Sequence, residues 1–240
     1  YIDNLGHHTF HTWEAQFSWA HDTRNRFWNP TRGSLQQVSF DFALPGSTVE
    51  YYTLFYRYGQ YLPITNALTF YGHFTLGYGD VWRTPDKAST APADRPANLD
   101  VLPFFKNFFA GGVTDVRGFR DNTLGPRIAY SPLTCPPADT KNCLVPVGGA
   151  FKTVASAEII FPTPFVKEDN DSTRISWFFD VGNVFPDFNA WSASELRAST
   201  GISFQWRAPV GPIVINLAKP IKSQHGDDTE TIQFSFGNTF

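Results

Sequence analysis

Polar and apolar residues alternate with a period of two along the final stretch of the chain. Ile232, Phe234, Phe236 and Phe240 fall on one register, and Thr231, Gln233, Ser235, Gly237 and Thr239 on the other. Successive side chains of a strand point to opposite faces, so such a segment has one greasy and one polar side. The pattern recurs upstream. Val38, Phe40, Phe42 and Leu44 alternate with Gln37, Ser39, Asp41 and Ala43, and Trp13, Ala15, Phe17 and Trp19 with Thr12, Glu14, Gln16 and Ser18. Leu196, Ala198, Ile202, Phe204 and Trp206 oppose Arg197, Ser199, Gly201, Ser203, Gln205 and Arg207. Less regular candidates are Tyr52–Tyr58, Leu68–Tyr78, Phe104–Ala110, Phe151–Phe161, Ile175–Val181 and Ile213–Leu217. Together they predict about ten strands.

Turn chemistry separates these segments. Asn29-Pro30-Thr31-Arg32-Gly33, Leu44-Pro45-Gly46-Ser47 and Ala208-Pro209-Val210-Gly211-Pro212 read as short connectors. Two connections are long, from Trp82 to Pro103 and from Gly112 to Gly149. Short turns on one side and long loops on the other are the habit of outer-membrane barrels.

Composition separates a membrane barrel from a soluble sandwich, which also alternates. Of 240 residues, 17% are aromatic and only 17% charged, below the quarter usual for a soluble surface. Yet no run approaches the roughly 18–20 apolar residues of a spanning helix. Several alternating segments are about ten residues long, enough to cross a bilayer at a tilt. Trp, Tyr and Phe crowd their ends, as interfacial girdles require. The fold class predicted is all-β, an antiparallel transmembrane β-barrel. A net charge of −3 offers no basic field for nucleic acid. Met is absent and the chain opens on Tyr1, so a fragment or processed form is expected.

The long connection carries Val116-Arg117-Gly118-Phe119, continuing through Arg120-Asp121-Asn122-Thr123-Leu124-Gly125-Pro126. Phe105-Lys106-Asn107-Phe108-Phe109-Ala110-Gly111-Gly112 precedes it. Phe161-Pro162-Thr163-Pro164-Phe165, Phe178-Phe179-Asp180-Val181-Gly182-Asn183-Val184 and Ser203-Phe204-Gln205-Trp206 follow in order. This ordered set resembles the BamA family of outer-membrane assembly barrels over nearly the whole chain. The terminal Phe240 on an alternating last strand resembles the sorting signal of bacterial outer-membrane proteins.

The resemblance implies about ten C-terminal strands of a sixteen-stranded barrel. Residues 1–240 would be one barrel portion, with five strands on each side of a lumen-inserting loop at about 113–149. The POTRA domains and first strands would be absent, leaving one side of the lateral seam. The implied function is assembly and insertion of β-barrel proteins in a Gram-negative outer membrane, with no enzymatic activity and no nucleotide or redox cofactor. Implied partners are nascent barrel proteins, accessory lipoproteins acting mainly through the absent domains, and outer-membrane lipid and lipopolysaccharide. A TamA-like barrel and two-partner secretion transporters share the Arg-Gly-aromatic loop. A passive porin lacks it.

Alternation also suggests what Arg117 meets. Ser156 and Glu158 lie on the polar side of one segment; Arg174, Ser176, Asp180 and Gly182 lie on that of the next, with Phe178 a misfit among them. Glu158 and Asp180 would thus share the lumen face, where two carboxylates repel unless a cation is supplied. A guanidinium fork matches carboxylates as an ammonium cannot. Arg117 is therefore expected to bridge the two from the inserted loop, and the family resemblance implies the same contact. In a wet lumen it would contribute about 1 kcal/mol or less, and more where water is excluded. Acid–base chemistry of glycosidase type is the rival use of such a carboxylate pair.

Cys135 and Cys143 are the only cysteines. In an oxidising outer-membrane loop a disulfide is the leading expectation, with free thiols or metal ligation as alternatives. His7 and His11 would lie roughly 13 Å apart along a strand, too far to share a metal, so His7, His8 and His11 read as surface or lumen residues. Gly237 interrupts an otherwise bulky last strand. It marks either ordinary small-residue packing or, by resemblance, a kinkable strand at an openable seam formed with Ile232, Phe234, Phe236 and Phe240.

Overall fold

A computed structural model describes residues 11–83, 102–129, 144–163 and 172–237. Before the long connection come β1 (Glu14–Asp22), β2 (Gly33–Ala43), β3 (Glu50–Pro63) and β4 (Thr69–Arg83). Within that connection β5 (Arg127–Ala129) and β6 (Leu144–Pro146) form a small separate hairpin. After it come β7 (Phe151–Phe161), β8 (Thr173–Phe185), β9 (Arg197–Ala208), β10 (Gly211–Lys222) and β11 (Ile232–Phe236). Nine of these make one sheet in the order β1-β2-β3-β4-β7-β8-β9-β10-β11, every neighbouring pair antiparallel. The order follows the chain because each strand returns beside its predecessor, the meander of an up-and-down barrel wall.

Seven of the nine strands contain 11 to 15 residues, long enough to cross a hydrocarbon core at a tilt. No helix among the described residues is long and apolar enough to do so.

The two faces of the sheet are inverted relative to a soluble protein. Leu54, Leu76, Trp177, Ile202, Trp206, Leu217 and Phe234 are exposed on the outer face. On the inner face Ser176, Asp180, Ser199, Ser203, Asn216 and Gln233 are buried. Phe234 is 63% exposed while Asn216 is fully covered, an arrangement that water outside the sheet would penalise and a lipid bilayer would favour. Phe40 is also exposed and Phe204 half-buried, both on the outer side.

One predicted strand is absent. Phe104–Ala110 forms no part of the sheet, which among the described residues therefore has four strands before the loop rather than five. Phe104–Lys106 is a 3-10 turn in which the Lys106 N–H closes on the Pro103 carbonyl at 2.8 Å. Pro103 has no N–H for a ladder, and a backbone bonded to itself cannot also pair sideways. Phe108 and Ala110 make only isolated bridges, to Gly149 and Leu124. The short connectors also divide between the ends. Asn29–Gly33 and Ala208–Gly211 lie at the end opposite the long connection, whereas Leu44–Ser47 shares its end.

Candidate functional site

The polar centre of the sheet is built by register. On β7 and β8, Ser156 stands opposite Asp180 and Glu158 opposite Phe178, and all four side chains face inward. Asp180 and Glu158 therefore sit on adjacent strands, one pleat apart, with an aromatic ring between them. The loop supplies the counter-charge from above.

Arg117 enters this cluster with its whole fork engaged. Its Nε and Nη2 donate to the two oxygens of Asp180, each at 2.7 Å, and its Nη1 lies 2.7 Å from Glu158 Oε1. Nη2 also donates to Ser156 Oγ at 3.1 Å, and the Arg117 backbone N–H donates to Asp180 Oδ2 at 3.0 Å. Ser156 Oγ in turn donates to Asp180 Oδ1 at 2.5 Å. On the next row Arg174 Nη2 holds the other oxygen of Glu158 at 3.0 Å. Two guanidinium groups thus balance two carboxylates, and the cluster is neutral as a unit.

Phe178 is not a misfit. Its ring lies under Arg117, with the guanidinium carbon 3.6 Å from the centroid, a stacked cation–π contact. Arg174 similarly approaches Tyr61 and Tyr71, at 5.8 and 5.6 Å, and those two rings stack at 4.0 Å.

The charged groups of this site are buried. Asp180 is fully buried and Arg117 only 5% exposed. Burial opposes the charge of Arg117, but the carboxylates of Glu158 and Asp180 more than offset that and hold its pKa above the usual guanidinium range. The wet-lumen magnitude of about 1 kcal/mol consequently does not apply. Removing one member of such a buried cluster strands a charge, at a cost of about 3–5 kcal/mol.

The neighbours of Arg117 anchor the loop by other means. Val116 and Phe119 are buried with Ala110, Leu124, Val154 and Val184 in an apolar cluster inside the sheet. Gly118 takes φ +88, and a Cβ there would stand 3.1 Å from the Ala218 Cβ of β10. Lys152 of β7 pairs with Asp115 at 2.7 Å, just before the motif.

Other sequence-derived candidates lie elsewhere. Ile232, Phe234 and Phe236 point outward from β11, away from the charged cluster. Gly237 follows β11 rather than lying within it, takes φ +81, and donates its N–H to the Pro212 carbonyl at 2.9 Å. Cys135, Cys143, Phe240, His7 and His8 lie outside the described residues. His11 donates its backbone N–H to Thr48 Oγ1, and no group of three or more metal-ligating side chains occurs among the described residues. Ser156 and Arg174 were on the correct face but carried no role, because alternation shows the side and not the partner. Gln233 was likewise missed.

The Omp85 superfamily domain matches residues 2–240. The outer membrane protein assembly factor BamA of Neisseria meningitidis serogroup B is 31% identical over 91% of this chain and 27% of its own length. The sorting assembly machinery 50 kDa subunit of Saccharomyces cerevisiae is 28% identical over 54% of this chain and 25% of its own. The crystal structure of BamA from Haemophilus ducreyi lacking POTRA domains 1–3 superposes with a TM-score of 0.78 at 25% identity, over 98% of this chain and 46% of that one. The chain spans about a quarter of the length of the two curated relatives.

Proposed function

The chain belongs to the Omp85 superfamily, and from that premise we propose that it is the C-terminal barrel portion of an assembly factor that inserts β-barrel proteins into the bacterial outer membrane. The proposed boundaries are those of one barrel segment, residues 1–240, completed by strands and POTRA domains elsewhere in the full-length protein. Its substrates would be nascent outer-membrane barrels, and its surroundings outer-membrane lipid and lipopolysaccharide. Accessory lipoproteins would act mainly on the POTRA domains.

One observation carries this reading: a loop arginine is buried within the wall, bonded to both Asp180 and Glu158 and stacked on Phe178. A loop anchored by charge on the inner wall fixes the wall in one shape. That suits a device that must hold its wall in one shape while an edge remains available. That edge would be β11, the five-residue strand at one end of the described sheet, where it would meet a strand from elsewhere in the full-length protein. A strand edge offers unpaired N–H and C=O groups on which an incoming strand can form. The work is therefore templating and positioning, with no bond made or broken by a side chain. The buried Glu158–Asp180 pair, saturated by arginine, is in no state to serve as an acid and a base.

The test is assembly of other barrels by the full-length protein carrying Arg117→Lys or Arg117→Ala. A severe fall with Ala and a partial fall with Lys support the reading. Full assembly in both, or a steady open conductance in planar bilayers, would overturn it.

A further inference from the structure

Gln233 is buried on the inner face of β11 and uses both ends of its amide on the loop. Its Oε1 accepts the Gly118 N–H at 3.0 Å and its Nε2 donates to the Phe119 carbonyl at 2.8 Å. Just upstream, the Glu230 N–H donates to the Gly118 carbonyl and the Arg120 N–H to the Asp228 carbonyl, both at 2.9 Å. Phe119 bridges Thr229 in antiparallel fashion. Residues 118–120 thus run as a fragment of strand against 228–230, and the Gln233 side chain extends that pairing by one more peptide-like unit.

The other end of the same segment is Arg117, held by Asp180 on β8 and Glu158 on β7. Between its two anchorages the segment crosses β9 and β10 in close contact. A Cβ at Gly118 would meet Ala218 of β10 at 3.1 Å and Ser199 of β9 at 3.5 Å. It is a strut from β8 to β11, with no slack over the strands it crosses. Asn216, which faces Gln233 in register on β10, makes no hydrogen bond with either amide atom, so it does not duplicate the tether.

We infer that Gln233 is a positioning residue that latches the Arg117 loop to the last strand, so that the loop sets where the edge of β11 lies and its release frees that strand. Glutamine suits the task because its planar amide offers one acceptor and one donor in the spacing of a peptide group. Leucine offers neither and glutamate at neutral pH lacks the donor. The latch deepens the proposed assembly function, and only its consequence for assembly rests on that reading.

The experiment is amide hydrogen exchange on the full-length protein in lipid nanodiscs, corrected for intrinsic rates, with Gln233→Leu and Gln233→Glu. In Gln233→Leu, protection falls about tenfold at Gly118 and Glu230 and across Ile232–Phe236, the effect of losing about one to two net hydrogen bonds. If exposure stays confined to Gly118 and Glu230 while Ile232–Phe236 keep wild-type protection, the coupling is overturned. Gln233→Glu tests the same point within one folded molecule, should the leucine variant fail to fold. At acid pH its neutral carboxyl again offers an acceptor and a donor, so β11 protection returns, and at neutral pH it is lost. A pH response no larger than that of the wild type overturns the latch. Loosened β11 with undiminished barrel assembly leaves the latch standing and counts against the assembly reading instead.

Discussion

The guanidinium carbon of Arg117 lies over Phe178, 3.6 Å from the ring centroid, while the residues on either side of Phe178 face outward. An aromatic ring on the polar face of a barrel strand has no lipid to cover. Here it floors a charge cluster, while Asp180 and Glu158 grip the edges of the guanidinium. The Arg117–Phe178 contact thus adds an apolar floor to the ionic anchorage of the loop.

Replacing Phe178 with Leu removes the π-face but keeps an apolar floor. Loss of a desolvated cation–π contact predicts a fall of about 2 kcal/mol in folded-barrel stability. It is read as a lower temperature for loss of the compact electrophoretic band. Phe179→Leu, on the outer face, should leave that temperature nearly unchanged.

Arg117→Ala and Arg117→Lys should separate charge from geometry. Alanine strands the buried Asp180 without its cation, while Glu158 keeps Arg174, and should cost about 3–5 kcal/mol. Lysine restores the charge without the fork and should cost about half as much. Combining Arg117→Ala with Asp180→Asn should be milder than the sum of the two single changes, because the stranded charge is removed. Denaturant titration in detergent or lipid distinguishes these cases, and strict additivity would refute the coupling.

Gly118→Ala meets two obstacles. A backbone at φ +88 disfavours a Cβ by about 1–2 kcal/mol, and the added carbon would press on Ala218 at 3.1 Å. The expected outcome is a more protease-sensitive loop with the barrel still folded. Cleavage in intact cells by an added protease provides the measurement.

Ile202 lies mid-strand on the outer face of β9 and Gln37 mid-strand on the inner face of β2. Ile202→Arg should destabilise insertion by about 2–4 kcal/mol, as a cation placed in hydrocarbon does. Gln37→Arg should be tolerated. Folding yields into vesicles, followed by tryptophan fluorescence, test both, and equal yields would contradict a bilayer around the sheet.

Much of the architecture was legible because a membrane barrel writes one physical rule at every second position. Val38 to Leu44 and Thr231 to Phe236 declare their faces without reference to any other part of the chain, since lipid and lumen demand opposite chemistry. Where that rule weakens, so does the reading. Phe104–Ala110, one of the less regular candidates, is not a strand, because Pro103 and a self-bonded turn decide its backbone. Gly237 likewise looked like part of the last strand but follows it.

The partners of Arg117 were narrowed by a general argument, that paired carboxylates on one face need a cation. Phe178 was visible only as an exception to the pattern, and Gln233 only as one of many inward polar residues. Periodicity by itself therefore determined which side of the wall each residue faces and hence the class of the fold. Pairing of side chains across the lumen was decided by the tertiary structure alone: strand register sets Asp180 beside Ser156, and the path of a folded loop brings Gly118 to Gln233, 115 residues away in sequence. Local alternation carries no information about such separations, because register and loop path are properties of the closed set of hydrogen bonds rather than of any one segment.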